Sequence, residues 1–341
     1  MHKMSSLKSL LVLPFLLVVS LSAAAEKPLV LFDDGHAQTA GNADWVITGA
    51  FSDFADVFKT LGCEVRASKH LTAEDIKGAR ILVLPEPNSP YTVEEENAIV
   101  QFVEQGGGLY AISDHMNSDR NGDGIDSVGV LNRFLPKLGL QIDQRFFSEA
   151  PTAGKINPTP LTEGVKSVGI WGGSTVKCLS KEGVAHITVS AKNGGGAFIA
   201  TNVVGSKGGK VVAMADSSSY DDGTGDPHDK LYNGFSKPGF NHDILARNSA
   251  AWLLEKISAT PQERLSRLMD DVSAANEGLA KGSNNDLLMH LESCEGSIDR
   301  LVSENPDLAE EIRARASNDK AFSGIMKAVN SRGAFEKVHG N

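Results

Sequence analysis

The stretch Gln105-Gly106-Gly107-Gly108-Leu109-Tyr110-Ala111-Ile112-Ser113-Asp114-His115 decides how the rest of the chain is read. Three glycines stop whatever helix precedes them. Leu109 to Ser113 then form an apolar run too short for a helix, bounded by Gly and by polar residues, as in a strand buried on both faces. Asp114 and His115 follow at once, at a strand-to-helix turn. In an open parallel sheet, ligands bind outside the carboxyl ends of the strands. A carboxylate and an imidazole at such an end therefore mark a place for chemistry.

Working outward, the pattern repeats. Lys27 to Phe32 reads as a strand that ends in Asp33-Asp34-Gly35-His36. Residues 50–61 have helical spacing, with Phe51, Phe54, Val57, Phe58 and Leu61 on one face. Cys63 to Arg66 is a short strand, and Ala79 to Leu84 a buried one closed by the loop Pro85 to Tyr91. Thr92-Val93-Glu94-Glu95 opens a helix through Glu104 with a capping-box pattern. Strands are expected near residues 184–191, 196–201 and 210–215, and a closing helix over His242 to Lys256. Alternating strands and helices imply an α/β fold, a mostly parallel sheet with helices on both faces, over residues 26–256. Residues 257–341 change character. Thr260-Pro261-Gln262-Glu263 is a helix start, and the remainder reads as an all-α appendage whose amphipathic faces cover one another or dock a protein partner.

Four polar clusters follow the predicted strands or open the last helix. Asp34 and His36 belong to the first, Asp114 and His115 to the second, Asp216-Ser217-Ser218-Ser219 to the third and Asn241-His242-Asp243 to the fourth. One such cluster is ordinary capping and turn chemistry, whereas four together suggest a site. Asp34, His36, Asp114, His115, Asp216 and His242 are its candidates. A carboxylate would act as base or nucleophile and a histidine as acid or base. Asp119-Arg120-Asn121-Gly122-Asp123-Gly124 is the first half of an EF-hand-type calcium loop, with oxygen side chains at positions 1, 3 and 5 and Gly at 6. Position 12 is Val130 rather than Glu, so Asp126 is the candidate fourth ligand. A turn built on Asp, Asn and Gly without metal is the alternative. Zinc or another transition metal on His36, His115 and His242 with Asp114 or Asp216 is the rival metal reading, with no HExxH-type spacing behind it.

The Gly106 to His115 stretch resembles the central strand and turn of the class I glutamine amidotransferase-like superfamily, in its ThuA-like and GIFT-type branch. Gly209 to Asp216, with Asn248 to Leu253, is similar to that superfamily's last strand and helix. The resemblance spans about residues 27–256 and implies a flavodoxin-like sheet. Where amidotransferases place their nucleophilic Cys, this chain has Asp114 or His115, so glutamine hydrolysis through a thiol triad is not expected. The resemblance further implies carbohydrate as a ligand. Trp45, Tyr91, Trp171 and Tyr232 are available either to stack on sugar rings or to pack the core.

Bulk properties bound the partners. With 33 Lys and Arg against 43 Asp and Glu, the net charge is −10, which disfavours nucleic acid. Lys3 and Lys8, the apolar run Leu10 to Leu21 and Ala23-x-Ala25 read as a secretory signal over residues 1–25, cleaved near Ala25. That run is short of the ~20 residues a membrane-spanning helix needs, and a periplasmic or secreted location without a stable span is expected. Cys63, Cys178 and Cys294 form no CxxC, so no thiolate zinc site is read. Two functions fit. One is a hydrolase acting through Asp and His on a carbohydrate-related substrate. The other is a non-catalytic, calcium-stabilised module that binds a small-molecule or glycan ligand.

Overall fold

The computed structural model describes residues 27–225 and 233–255. The signal segment and the C-terminal helices expected from the sequence lie outside these. The elements run β1 (Leu29–Asp33), α1 (Ser52–Thr60), β2 (Glu64–Ser68), β3 (Ala79–Pro85), α2 (Val93–Glu104), β4 (Gly108–Ile112), α3 (Ser127–Leu131), β5 (Leu140–Ile142), β6 (Phe147–Glu149), β7 (Ile170–Gly173), β8 (Val176–Cys178), β9 (Val184–Thr188), β10 (Ala197–Val204), β11 (Gly209–Met214) and α4 (His242–Leu253). The apolar runs read as strands are strands. The Thr92 capping box forms, with the Thr92 hydroxyl accepting from the Glu95 N–H and the Glu95 carboxylate returning to Thr92 N. The last described helix stops at Leu253, three residues short of the expected Lys256.

Nine strands make one mixed sheet in the order β2-β1-β3-β4-β11-β10-β8-β5, with β9 also paired to β10. The expectation of a mostly parallel sheet is corrected here. Five strands, β2 to β11, are parallel. From β10 onward every pairing is antiparallel. A separate antiparallel ribbon joins β6 to β7.

Strand alternation divides the core in two. Val30, Phe32, Ile81, Val83, Tyr110, Ile112, Val212 and Met214 enter one cluster, together with Phe54 and Phe58 of α1 and Leu245 and Leu253 of α4. Leu31, Leu82, Leu84, Leu109, Ala111, Val211 and Ala213 enter the other, with Ile99 and Val103 of α2 and Val128 and Leu131 of α3. Each fully buried side chain of this size is worth roughly 1.5–3 kcal/mol, so these strands are fixed firmly in register. Register sets the site. Pro85 of β3 and Met214 of β11 both lie beside Ile112 of β4. The residues that follow these three strand ends therefore emerge at one edge of the sheet. Among the described residues, no helix is long and apolar enough to cross a membrane.

Candidate functional site

Glu86, Asp114 and Asp216 leave the ends of β3, β4 and β11, and all three are buried. Arg120 ties the first two together. Its Nε donates to Glu86 Oε1 at 2.5 Å, and its Nη2 donates to Glu86 Oε2 at 3.4 Å and to Asp114 Oδ2 at 2.6 Å. Its Nη1 reaches Asn42 Oδ1 at 2.7 Å, and its guanidinium lies 5.6 Å from the Trp45 ring centre. Ser217 donates its hydroxyl to Glu86. Asp216 caps the Ser217–Ser219 turn through Ser218 N and accepts from Trp171 N at 2.7 Å. Burial pushes the Asp114 carboxyl well above the usual carboxylate range; the Glu86 and Asp216 charges add to this and Arg120 opposes it. Burial likewise lifts Asp216 to about 6, against the backbone N–H groups of Trp171 and Ser218.

Asp114 Oδ1 is a buried oxygen with no hydrogen-bond partner. Its other oxygen lies 3.8 Å from His115 Nε2. His115 Nδ1 donates to the Met116 carbonyl at 2.6 Å, which makes Nε2 the basic nitrogen of the neutral ring and turns it toward Asp114. The His115 ring packs edge-on against Phe146, which is 60% exposed. Gly172, at φ +88°, allows this: a Cβ there would stand 3.2 Å from the His115 ring and 3.5 Å from Phe146. An acid, a base and an exposed aromatic face thus adjoin at the end of β4.

A second network fills the end of β1. His36 Nδ1 donates to Asp33 Oδ1 at 2.8 Å, and His36 Nε2 lies 3.4 Å from Glu95 Oε2. Tyr91 and Gln38 donate to Asp33 Oδ2. Burial alone would lower the His36 pKa, but Asp33 and Glu95 outweigh it and the value is raised. The His36 carbonyl accepts from Asn88 N and Ser89 N, and so braces the loop that carries Glu86. Asp34, one residue from Asp33, points elsewhere and pairs with Lys69 at 3.0 Å.

His242 is a buried clamp. Its Nδ1 donates to the Gly234 carbonyl and its Nε2 accepts from Gly169 N. Burial lowers its pKa to about 4, so it is neutral. The structure thus brings Asp114, His115 and Asp216 to one edge, puts His36 in an adjoining network, and gives Asp34 and His242 separate partners.

In the 119–126 loop, Asp119 accepts from the backbone of Gly122, Asp123 and Gly124. Asn121 bonds Ser89 Oγ and Asp123 Oδ2. Asp126 caps α3 through Gly129 N and accepts from Asn117 N. Among the described residues, no group of three or more His, Cys, Asp or Glu side chains is placed to hold a metal ion. The loop also docks Arg120, whose N–H donates to Asn88 Oδ1.

Glu86 and Arg120 escape a reading of strand-end clusters, and Asp33, which stands in the first of them, is not among its candidates. Glu86 sits between Pro85 and Pro87 in what reads as a plain loop. Arg120 is hidden at the second position of the acidic motif. Asp33 loses to its neighbour Asp34. Strand alternation was the available signal, since Leu31 and Asp33 share a parity and Asp34 is the first residue beyond the strand.

No protein-family model matches the chain. No curated protein matches it. Solved structures similar to it include the mmIFT52 N-terminal domain, at 13% identity and TM-score 0.49 over 66% of this chain and 97% of that one. They also include a ThuA-like protein from Bacteroides uniformis, at 16% identity and TM-score 0.41 over 70% of this chain and 96% of that one. A ThuA-like protein from Parabacteroides merdae matches at 9% identity and TM-score 0.42, over 69% of this chain and 92% of that one.

Proposed function

We propose that this chain is an exported hydrolase of the amidotransferase-like type that works through Asp114 and His115 in place of a thiol, on a carbohydrate-related glycoside or ester. The observation that carries the reading is Asp114 itself. It stands at the end of β4, 2% exposed, with one oxygen lacking a partner and the His115 base at 3.8 Å from the other. A buried carboxyl with a raised pKa beside an imidazole nitrogen free to accept a proton is an acid–base pair. Placement in the ThuA-like and GIFT-type branch belongs to the same proposal and rests on the Gly106 to His115 pattern, where no Cys follows the strand. So does export, which rests on the 1–25 signal pattern.

Calcium at Asp119, Asn121, Asp123 and Asp126 is a further part of the proposal, resting on the spacing of those residues. Binding would require Asp119 and Asp123 to exchange backbone N–H partners for the cation. Added calcium should then raise the melting temperature of the wild type and leave Asp123→Ala unchanged. Equal melting of both proteins, with and without calcium, removes the cation from the account.

A second reading, a glycan-binding module without turnover, is favoured by the exposed Phe146 ring beside His115. A panel of 4-nitrophenyl glycosides and 4-nitrophenyl acetate separates the two. Release of nitrophenolate above the blank supports the hydrolase. Calorimetric binding of the glycosides with no release supports the module and overturns the hydrolase.

A further inference from the structure

Glu86 takes no direct part in the Asp114–His115 pair, yet its placement is the most constrained in the cluster. Its φ of +44° puts a non-glycine residue in the left-handed region, which is uncommon and clusters at functional sites. Its N–H donates to the Ile112 carbonyl, and its own carbonyl accepts from Asn88 Nδ2. The loop is thereby held while the side chain turns inward to Arg120 and Ser217.

Three buried carboxyl groups, Glu86, Asp114 and Asp216, act on one another, and a single guanidinium, Arg120, pairs with the first two. Ionising all of them would leave buried negative charge without compensation, a state that proteins avoid by neutralising a group. The donors decide which. Glu86 accepts two N–H bonds from Arg120 and the Ser217 hydroxyl. Asp216 accepts two backbone N–H bonds and a longer one from Ser219. Asp114 Oδ2 accepts a single side-chain donor, Arg120; the His115 backbone N–H also favours its charged form, but Oδ1 has no hydrogen-bond partner within bonding geometry. The carboxyl with the fewest donors carries the proton. Because Oδ2 is the acceptor toward Arg120, that proton sits on Oδ1.

We propose that Glu86 is the standing anion of the site and keeps Asp114 a neutral acid, whose Oδ1 proton is offered to an oxygen of an uncharged substrate. The proposal rests on the reading of Asp114 as the acid of a hydrolase and names its substrate class. The groups facing Asp114 are Glu86 from the end of β3, Arg120 from the 119–126 loop, Asp216 from the end of β11 and the neighbouring His115. In the step, the bond from carbon to the leaving oxygen breaks and that oxygen takes the Oδ1 proton. Water bonds to the carbon and gives its proton to His115 Nε2, from which it returns to Asp114. A phosphate or sulfate ester would bring negative charge against Glu86 and is disfavoured.

The test is a titration of the full chain with ¹³C-labelled Asp and Glu carboxyl groups, the Asp114 resonance being assigned by its loss in Asp114→Asn. In the wild type Asp114 should titrate well above the ordinary carboxylic-acid range. In Glu86→Gln its midpoint should fall by at least one pH unit, about a tenfold loss of the protonated form at a given pH above the midpoint, while Glu86→Asp keeps the raised midpoint. A wild-type Asp114 that titrates in the ordinary carboxylic-acid range overturns the proposal, as does an unmoved midpoint in folded Glu86→Gln. If Glu86→Gln fails to fold, the wild-type and Glu86→Asp titrations decide. Hydrolysis should be seen with 4-nitrophenyl acetate or glycosides and not with 4-nitrophenyl phosphate; the reverse preference also overturns it. Loss of hydrolysis in Asp114→Asn with an unmoved Glu86→Gln titration sinks the role of Glu86 alone. Full hydrolysis in Asp114→Asn sinks the hydrolase reading itself.

Discussion

Glu86 and Asp114 meet on one nitrogen of Arg120: Nη2 lies 3.4 Å from Glu86 Oε2 and 2.6 Å from Asp114 Oδ2. Among the described residues, Arg120 is the one permanent cation within ion-pair distance of either acid, and His115 lies 3.8 Å from Asp114. Removing it leaves two buried carboxyl groups to settle one another's charge. Arg120→Ala should therefore destabilise the fold by about 3–5 kcal/mol, read as a lower urea midpoint with an unchanged slope. Arg120→Lys should recover only part of this, since an ammonium cannot reproduce the fork that spans both partners. A loss below about 1 kcal/mol for Arg120→Ala would show that the Arg120 bonds to Glu86 and Asp114 are not the tie that holds the β3 and β4 ends together.

His36 gives the protein an alkaline limb. Its pKa is raised above 6.5 in the fold: burial opposes the charge, and the Asp33 and Glu95 carboxylates more than offset that. A raised folded value stabilises fully below the unfolded pKa and is lost as pH rises through the folded one. Stability should thus decline from about pH 6.5 upward, and His36→Gln should flatten that decline. Urea midpoints measured from pH 6 to 9 check it. A wild-type curve as flat as that of His36→Gln would mean that His36 is neutral throughout.

Glu149 gives an acid limb by the opposite sign. Its carboxylate accepts from Thr152 Oγ1, Ala153 N, Ser190 and Asn193 Nδ2. Burial would raise its pKa, but the hydroxyl and amide donors lower it to about 2. The stabilisation is present above the unfolded value near 4.5 and is lost as pH falls toward 2. Glu149→Gln should lower stability at pH 7 and make the acid transition shallower. Identical acid unfolding of the two proteins would rule this out. The bonds join the end of β6 to the loop after β9, so the β6–β7 ribbon that carries Phe146 and Trp171 should loosen first.

The parallel half of the fold was legible because its central strands are runs such as Ile81-Leu82-Val83-Leu84, apolar on both faces and closed by Gly, Pro or a polar turn, while the edge strand β2 (Glu64–Ser68) is polar and largely exposed. In the antiparallel half β9 and β10 were legible as strands but their direction was not, and β5 and β8 were not legible at all. Leu140–Ile142 and Val176–Cys178 are three-residue strands, too short to show a period, and their direction is set by pairing with β10 and each other rather than by local preference. Asp114 was legible from its place after a buried strand. Glu86 was not, because what brings it inward is a left-handed φ and long-range bonds to Arg120 and Ser217, neither of which leaves a trace between two prolines. The 119–126 motif was legible as acids around a glycine turn. That its second residue, Arg120, reaches Glu86 and Asp114 depends on the docking of the loop on Asn88 and Ser89.

The rate of Asp114→Asn tests the central claim most directly. An amide in place of the acid keeps the shape and can still accept from Arg120, but it has no proton to transfer. On whichever 4-nitrophenyl glycoside or ester the wild type turns over, kcat should fall at least about 100-fold, the usual range for loss of a general acid, with KM nearly unchanged and the protein still folded. His115→Gln should lower kcat as well. An Asp114→Asn protein that hydrolyses the same substrate at the wild-type rate would contradict the account.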